Sequence, residues 1–337
     1  MKKLISLFLA LALVLPVLAG CGGQAPVATT AETTVAPTTE PAPSGPSQAA
    51  IDALDGKKII FIGNSYTYWG NCVIPAESVM DSQSDRTNDK GLFYQLCKEN
   101  GIKVDVTNWT FGGHNITDIM SEECLKEDGK CEGMNHLANL TDPYYDYVAM
   151  QCYFETEYTG DMISHLKPTM DFFREANPNV KFLFLVPHMT FVRDFAWSSE
   201  VFEPLAAEGV LVCNWGGMCD DIVNKVTTVP GGTQQYDFSS FVISRNENDG
   251  HHENMLVGYL TALMAYCAIT GESAVGQPYA FVDDRSINPN FDIDTYKTKY
   301  YTYNTYTNFV DIYRSEADMN GLQQLIDSYL IKYNGGN

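Results

Sequence analysis

The sequence predicts an α/β protein with an open parallel sheet that carries helices on both faces. Two observations carry this prediction. Short, almost continuous apolar runs recur along the chain, which is typical of parallel strands buried on both faces. Segments with helical spacing separate these runs, as the connections of a parallel sheet require. The part of the chain from about residue 50 onward is long enough for one large domain with insertions.

The first predicted strand covers residues 59–62 and is followed by Gly63-Asn64. Further strands are predicted over 104–109, 147–152, 180–186 and 209–213. Helices are predicted over 92–100, 116–125, 168–176, 201–207 and 218–226. Ligands of open α/β sheets bind beyond the carboxyl ends of the strands, so the loops after Ile62, Trp109, Gln151 and Val186 are expected to converge.

A last helix is predicted over residues 255–269, packed on the sheet with its aromatic and Leu positions inward. Residues 276–316 do not fit the alternation of strands and helices, and they are interpreted as an insertion or cap. The predicted domain therefore spans residues 50–337, with an insertion around 276–316.

The first residues predict export. Lys2 and Lys3 precede an apolar run that is too short for a permanent membrane helix, which needs about 20 residues. The run ends at Leu18-Ala19-Gly20-Cys21, which resembles the lipobox of bacterial lipoproteins. The resemblance implies a signal peptide over residues 1–21, lipid on Cys21 and an extracytoplasmic protein anchored to the cell membrane. The alternative is an ordinary secretory signal with a coincidental Cys.

Residues 22–49 are rich in Ala, Pro, Thr, Ser and Gly and lack aromatics. Such a composition cannot bury enough apolar surface to offset the entropy of ordering, so a disordered tether is predicted. In extended form it would reach roughly 80 Å, at about 3 Å a residue. That reach is enough to hold a domain clear of the membrane and near cell-wall polymers.

Composition excludes several classes of function. The formal charge of −21 disfavours nucleic acid, whose binding relies on Lys and Arg. No phosphate-binding glycine motif is present, so nucleotide chemistry has no support. The cysteines show no CxxC pair or Cys/His spacing typical of zinc, and neither a metal nor another cofactor is expected. Outside the cytoplasm they could pair, with Cys124 and Cys131 as the best local candidate.

Ser65 follows the first predicted strand in Gly63-Asn64-Ser65-Tyr66-Thr67. A Ser at the end of a buried strand directs its hydroxyl toward the expected crevice. The alternative is a Ser that only caps a turn or helix, which is common.

Asp249-Gly250-His251-His252 lies just before the last predicted helix. An Asp three residues before a His can hold Nδ1 of the imidazole, which leaves Nε2 free to act as a general base toward a Ser. A lone His is more often a surface or core residue; the chain has six, and only these two are adjacent and follow an Asp.

The loop after the second strand contains Gly112-Gly113-His114. A Gly lets a backbone N–H approach a ligand closely, as an oxyanion hole requires. The alternative is a plain tight turn.

In the order of these blocks the chain resembles the SGNH (GDSL-like) hydrolase superfamily, in its GNS[FY]T branch. The resemblance covers most of residues 57–276. It implies an SGNH/flavodoxin-like three-layer sandwich and a serine esterase with Ser65 as nucleophile, His252 as base and Asp249 as its partner. The backbone N–H groups of Ser65 and Gly113 would bind the oxyanion.

The third block departs from this pattern. The family supplies an Asn side chain there, whereas this chain has Gln151-Cys152-Tyr153. The amide of Gln151 is the candidate replacement donor. Loss of one such donor can cost about 10²–10³ in rate, so a non-catalytic glycan-binding lipoprotein with a degenerate site is the alternative.

Many members of the superfamily remove acyl groups from carbohydrates, so the resemblance implies an acylated carbohydrate or another small ester as substrate. Tyr66, Tyr68 and Trp69 follow the nucleophile. Aromatic rings at such positions stack on sugars or simply pack in the core.

Overall fold

The computed structural model of the chain describes residues 45–68, 70, 72–73, 91–121, 140, 142–152, 162–187, 202–242, 252–283 and 315–335. All of them belong to one compact unit, Ala42–Asn337. The predicted signal peptide, the tether up to residue 44, Cys124, Cys131, Asp249 and His251 lie outside the described residues. So does the predicted insertion from residue 284 to residue 314.

Five parallel strands form a single sheet in the order β2-β1-β3-β4-β5. Their bounds are β1 Lys57–Gly63, β2 Val104–Thr110, β3 Tyr147–Met150, β4 Lys181–Leu185 and β5 Leu211–Cys213. Nearly every strand residue is buried, as continuous apolar runs require of a sheet covered on both faces. The predicted open parallel α/β sheet is confirmed, and all five predicted strands are present.

The helices follow the predicted alternation, with three additions. They are α1 Gln48–Leu54, α2 Ser65–Tyr68, α3 Leu92–Glu99, α4 Ile116–Ile119, α5 Met162–Ala176, α6 Glu203–Ala207, α7 Trp215–Val223, α8 Met255–Thr270 and α9 Glu316–Asn334. Helix α1, capped by Ser47, includes the last two residues of the predicted tether. Helices α1, α2 and α9 were not predicted.

The connections place the helices in layers on both faces of the sheet. Helix α3 connects β1 to β2, and α5 connects β3 to β4 on the other side of β1. Right-handed crossovers that run in opposite directions along a sheet lie on opposite faces. Helix α8 packs with α3 and also contacts α1, α7, α9 and the strands β4 and β5.

Helix α8 is buried almost all round and not only on one side. Its Met, Leu, Ala, Tyr and Thr side chains are nearly all buried. A helix that is hydrophobic on every side needs neighbours on every side, and α1, α3, α7 and α9 supply them. The predicted inward face is therefore only part of its contact surface. Asn254 caps its first turn, with the side-chain Oδ1 accepting from Val257 N–H at 3.1 Å.

Candidate active site

Three of the predicted site residues follow neighbouring strands at the carboxyl edge of the sheet. Ser65 follows β1, Gly113 follows β2 and Gln151 follows β3. Strand β1 lies between the other two, and the order of strands reverses between β1 and β3. In an open α/β sheet this reversal leaves a crevice between the diverging connections, where ligands bind.

Ser65 is the first residue of α2 and is buried, with 8 % of its surface exposed. The chain turns from β1 into α2 through Asn64, which accepts twice. Its backbone oxygen accepts from Thr67 N–H at 2.9 Å, and its side-chain Oδ1 accepts from Tyr66 N–H at 3.1 Å. These bonds satisfy backbone donors of the first turn of α2, which lack helical partners. We call residues 63–67 the Ser65 turn.

Gln151 holds the Ser65 turn from the end of β3. Its Oε1 accepts from the backbone N–H of Asn64 at 3.1 Å and from the Thr67 hydroxyl at 3.2 Å. Its Nε2 donates to the backbone oxygen of Cys152. Gly63 is required here, because a Cβ would lie 2.9 Å from Gln151 Oε1 and would meet the Thr67 hydroxyl. The predicted role of Gln151 as an oxyanion donor would use the second N–H of its amide, and it stays a prediction.

The loop after β2 is attached to the same turn. The Asn64 side-chain Nδ2 donates to His114 O at 3.1 Å, and Phe111 N–H donates to Gly63 O at 2.8 Å. Gly113 lies between these contacts with φ +76°, in the left-handed region that favours glycine. The loop that contains Gly113 is therefore held beside Ser65, as an N–H donor for an oxyanion requires.

His252 reaches this region from the other end of the chain. Its ring lies beside that of Tyr66, with 5.9 Å between ring centroids and 35° between the planes. Tyr66 is buried, with 4 % of its surface exposed, so it packs under the site. The structure thus brings His252 next to the residue that follows Ser65. Asp249, its predicted partner, lies outside the described residues.

The segment that carries His252 is fixed by its neighbours. Val242 and Glu253 form an antiparallel bridge. Asn254, fully buried, donates its backbone N–H to Phe241 O at 3.1 Å and its side-chain Nδ2 to Ser240 O at 2.7 Å. Because the backbone and the side chain of Asn254 are both hydrogen-bonded, the position of His252, two residues earlier, is constrained.

Five cysteines of the described ranges are buried free thiols: Cys72, Cys97, Cys213, Cys219 and Cys267. Burial raises the pKa of Cys72, Cys97 and Cys213 far above the usual thiol value, which keeps them protonated and unreactive. Across the part of the chain that the structure describes, no group of three or more His, Cys, Asp or Glu side chains could hold a metal ion. No helix in that part is both long and apolar enough to cross a membrane.

Sequence reasoning missed two residues that build the site. Asn64 appeared only as part of a turn motif, although its amide connects the loops after β1 and β2. Asn254 was not singled out at all. Only Asn254 left a signal in the sequence, because an Asn directly before an apolar helical run is a common cap.

The fold and the site define an α/β protein whose polar residues meet at the switch point of a 2-1-3-4-5 parallel sheet. Solved structures with a similar fold include proteins described as SGNH hydrolases and carbohydrate esterases. A protein described as a GDSL-like lipase from Parabacteroides merdae is 14% identical over 66% of this chain and 98% of its own, with a TM-score of 0.43. An acetylxylan esterase from Geobacillus stearothermophilus is 13% identical over 65% and 95%, with a TM-score of 0.39.

A family two carbohydrate esterase from Clostridium thermocellum is 10% identical over 65% of this chain and 64% of its own, with a TM-score of 0.35. No protein-family model matches the chain, and no curated protein sequence matches it. At these identities and scores the likenesses transfer no residue's role to this chain.

Proposed function

We propose that the protein is a serine esterase of the SGNH type that removes acyl groups, acetyl above all, from a carbohydrate. Ser65 is the nucleophile, His252 the general base and Asp249 the residue that orients the imidazole. The single observation that carries the proposal is the contact between His252 and Tyr66, the residue next to Ser65. It joins two blocks that are far apart in sequence and that a Ser–His mechanism needs at one place.

The chemistry assigned to these residues is an acyl transfer in two steps. His252 takes the proton of the Ser65 hydroxyl while Oγ attacks the acyl carbon. The resulting oxyanion is held by the backbone N–H groups of Ser65 and Gly113, with the amide of Gln151 as the proposed third donor. His252 then gives its proton to the departing sugar oxygen. A water molecule, deprotonated by His252, releases the carboxylic acid and restores Ser65.

The proposed substrate class follows from where the protein is expected to be. The predicted lipid on Cys21 would anchor it to the cell membrane, and the predicted tether of residues 22–49 would let it reach extracellular polymers. Acylated polysaccharides are one class of ester within that reach. Small acyl esters should also react, because the attacked carbonyl is the same.

Turnover of a simple ester and of an acetylated glycan tests the proposal. The purified protein is incubated with p-nitrophenyl acetate and with acetylated xylan, and released acetate is measured. Ser65→Ala should lose turnover by a factor of about 10³ or more. Ser328→Ala, on the exposed side of α9, is the matched control and should keep it. Equal turnover in Ser65→Ala and wild type would rule out Ser65 as the nucleophile.

One observation favours a second function, that of a non-catalytic glycan-binding lipoprotein. The third block lacks the family's Asn, and the Gln151 amide already bonds Asn64, Thr67 and Cys152. A protein of this kind would bind the acetylated glycan in a pull-down but release no acetate. Ser65→Ala would then leave binding unchanged.

A further inference from the structure

Two glycines bring the segment after α2 and the first turn of α8 into backbone contact. A Cβ built on Gly70 would lie 2.8 Å from the nitrogen and 3.0 Å from the Cα of Gly258, and it would meet the backbone oxygen of Asn254. A Cβ built on Gly258 would lie 2.9 Å from the Cα of Gly70 and would meet its carbonyl group. Each glycine is therefore packed against the backbone of the other.

This contact has no room for a side chain on either partner. The atoms that an added Cβ would meet belong to backbone, which cannot rotate away as a flexible side chain can. Gly70 also has φ +76°, a conformation that L side chains rarely adopt. Gly258 lies within α8, where glycine is less favourable than alanine. A glycine that costs helix stability is explained here by the close approach that it permits.

The position of the contact relates it to the active site. Gly70 shortly follows α2, whose first residue is Ser65. Gly258 is in the first turn of α8, shortly after His252, and the contact includes the oxygen of the capping Asn254. Helix α2 and the residues just before α8 also meet, at the rings of Tyr66 and His252. Of these two meeting points, only the glycine pair joins backbone to backbone and so fixes how closely the segments approach.

We propose that Gly70 and Gly258 are positioning residues, and that their contact sets the separation between Ser65 and His252. The inference rests on the proposed function for its kinetic consequence, but the separation itself is a property of the fold. Any side chain at either position pushes the α2 segment away from the first turn of α8. The Ser65 hydroxyl then moves away from the imidazole.

Gly70→Ala and Gly258→Ala should each lower kcat by about 10²-fold, because a displacement of about 1 Å at reacting groups costs that much. KM should change by no more than about twofold, since the proposed change affects proton transfer and not substrate contacts. The double variant should lose no more than either single variant, because both substitutions break one contact. Additive losses would mean that the two glycines act separately.

Two control variants separate positioning from general damage. Gly321→Ala, in α9, also introduces a Cβ that meets backbone, at the oxygen of Pro230, and lies 2.5 Å from Val229 Cγ1. Gly101→Ala places alanine at φ +71° with nothing within 4 Å, which reproduces the backbone strain of Gly70→Ala without the collision. Both should lower the melting temperature and leave kcat of the folded protein unchanged.

Crystal structures supply a readout that does not depend on turnover. The distance from Ser65 Oγ to His252 Nε2 should increase by about 1 Å in the Gly70→Ala or Gly258→Ala variant relative to wild type. The same distance should stay constant in Gly321→Ala. If Gly258→Ala does not fold, Gly70→Ala decides. An unchanged distance, or an unchanged kcat in an active protein, overturns the inference. A wild-type protein without esterase activity overturns the proposed function alone, since the distances still test the contact.

Discussion

Replacing Gln151 by Leu separates two roles that the geometry allows for this residue. The substitution keeps the size of the side chain but removes an acceptor and a donor. In the wild type Oε1 accepts from the backbone N–H of Asn64 at 3.1 Å and from the Thr67 hydroxyl at 3.2 Å, and all three residues are buried. The change therefore leaves two buried donors without their acceptor.

The loss of stability can be worked out from these two bonds. A buried polar group that loses its partner costs about 1–3 kcal/mol. The N–H of Asn64 is fixed by the backbone, whereas the Thr67 hydroxyl can rotate toward another acceptor. We therefore expect Gln151→Leu to lower the free energy of unfolding by about 2–4 kcal/mol, measured by urea denaturation. If Gln151 is also an oxyanion donor, the substitution should lower kcat of the folded protein by a factor of about 10²–10³.

Gln323→Leu is the matched control, because Gln323 is an equally buried glutamine on α9. Its Nε2 donates to Tyr259 OH at 3.1 Å and to Gln277 O at 2.9 Å, and its Oε1 accepts from Gly276 N–H at 3.0 Å. It should lose comparable stability and keep its kcat. A Gln151→Leu protein as stable as wild type would refute the role of Gln151 in holding Asn64 and Thr67. A kcat within about tenfold of wild type would refute the oxyanion role.

Three further predictions concern other parts of the chain. His252→Ala should lower kcat by about 10³-fold or more and His251→Ala far less. In the wild type, kcat/KM should fall toward acid pH as the imidazole gains a proton and can no longer act as a base. Equal, modest losses in both variants would reassign the base. Asp318→Asn should cost on the order of 2–3 kcal/mol in urea unfolding at pH 7. Burial alone would raise the pKa of Asp318, but hydrogen bonds from Ser315, Gln234, Thr233 and Tyr236 outweigh it and lower the pKa. The loss of stability in Asp318→Asn should therefore vanish as the pH falls through that lowered pKa, because the wild-type carboxylate is then protonated. A loss that stays constant from pH 7 to pH 3 would contradict this assignment. Cys21→Ala should leave the protein unprocessed or released into the medium in cell fractionation, and a normally processed, membrane-bound variant would disprove the lipid anchor.

The strands and most helices could be predicted because their apolar patterns are local. Each of the five strands is an apolar run that a covered parallel sheet explains without further information. Helix α9 was missed because two residues that appear solvent-facing in the sequence, Asp318 and Gln323, are fully buried in the structure. Asp318 accepts bonds from Thr233, Gln234 and Tyr236, residues that precede it by a long stretch of chain. A buried polar residue is recognisable only once its partners are known.

The candidate site was likewise predictable in part. The approximate positions of Ser65, Gly113 and Gln151 could be predicted, because each follows a recognisable strand and parallel strands end at one edge. The contacts of the segment that carries His252 could not be predicted, because its partners Tyr66 and Gly70 are far from it in the sequence. Glycines such as Gly70 appear in a sequence as turn residues, and only the structure shows the backbone that they approach.

Asn64 shows why the chemistry of this site depends on more than its reacting groups. Its backbone N–H donates to Gln151, its side-chain Nδ2 donates to His114 O, and its Oδ1 accepts from Tyr66 N–H. One fully buried residue therefore joins the loops after β1, β2 and β3, which carry all three proposed oxyanion donors. Asp at this position would keep the acceptor but lose the donor to His114 O, and it would bury a charge beside that carbonyl oxygen. The relative positions of Ser65 and Gly113 depend on this neutral amide, which connects the turn that contains Ser65 to the loop that contains Gly113.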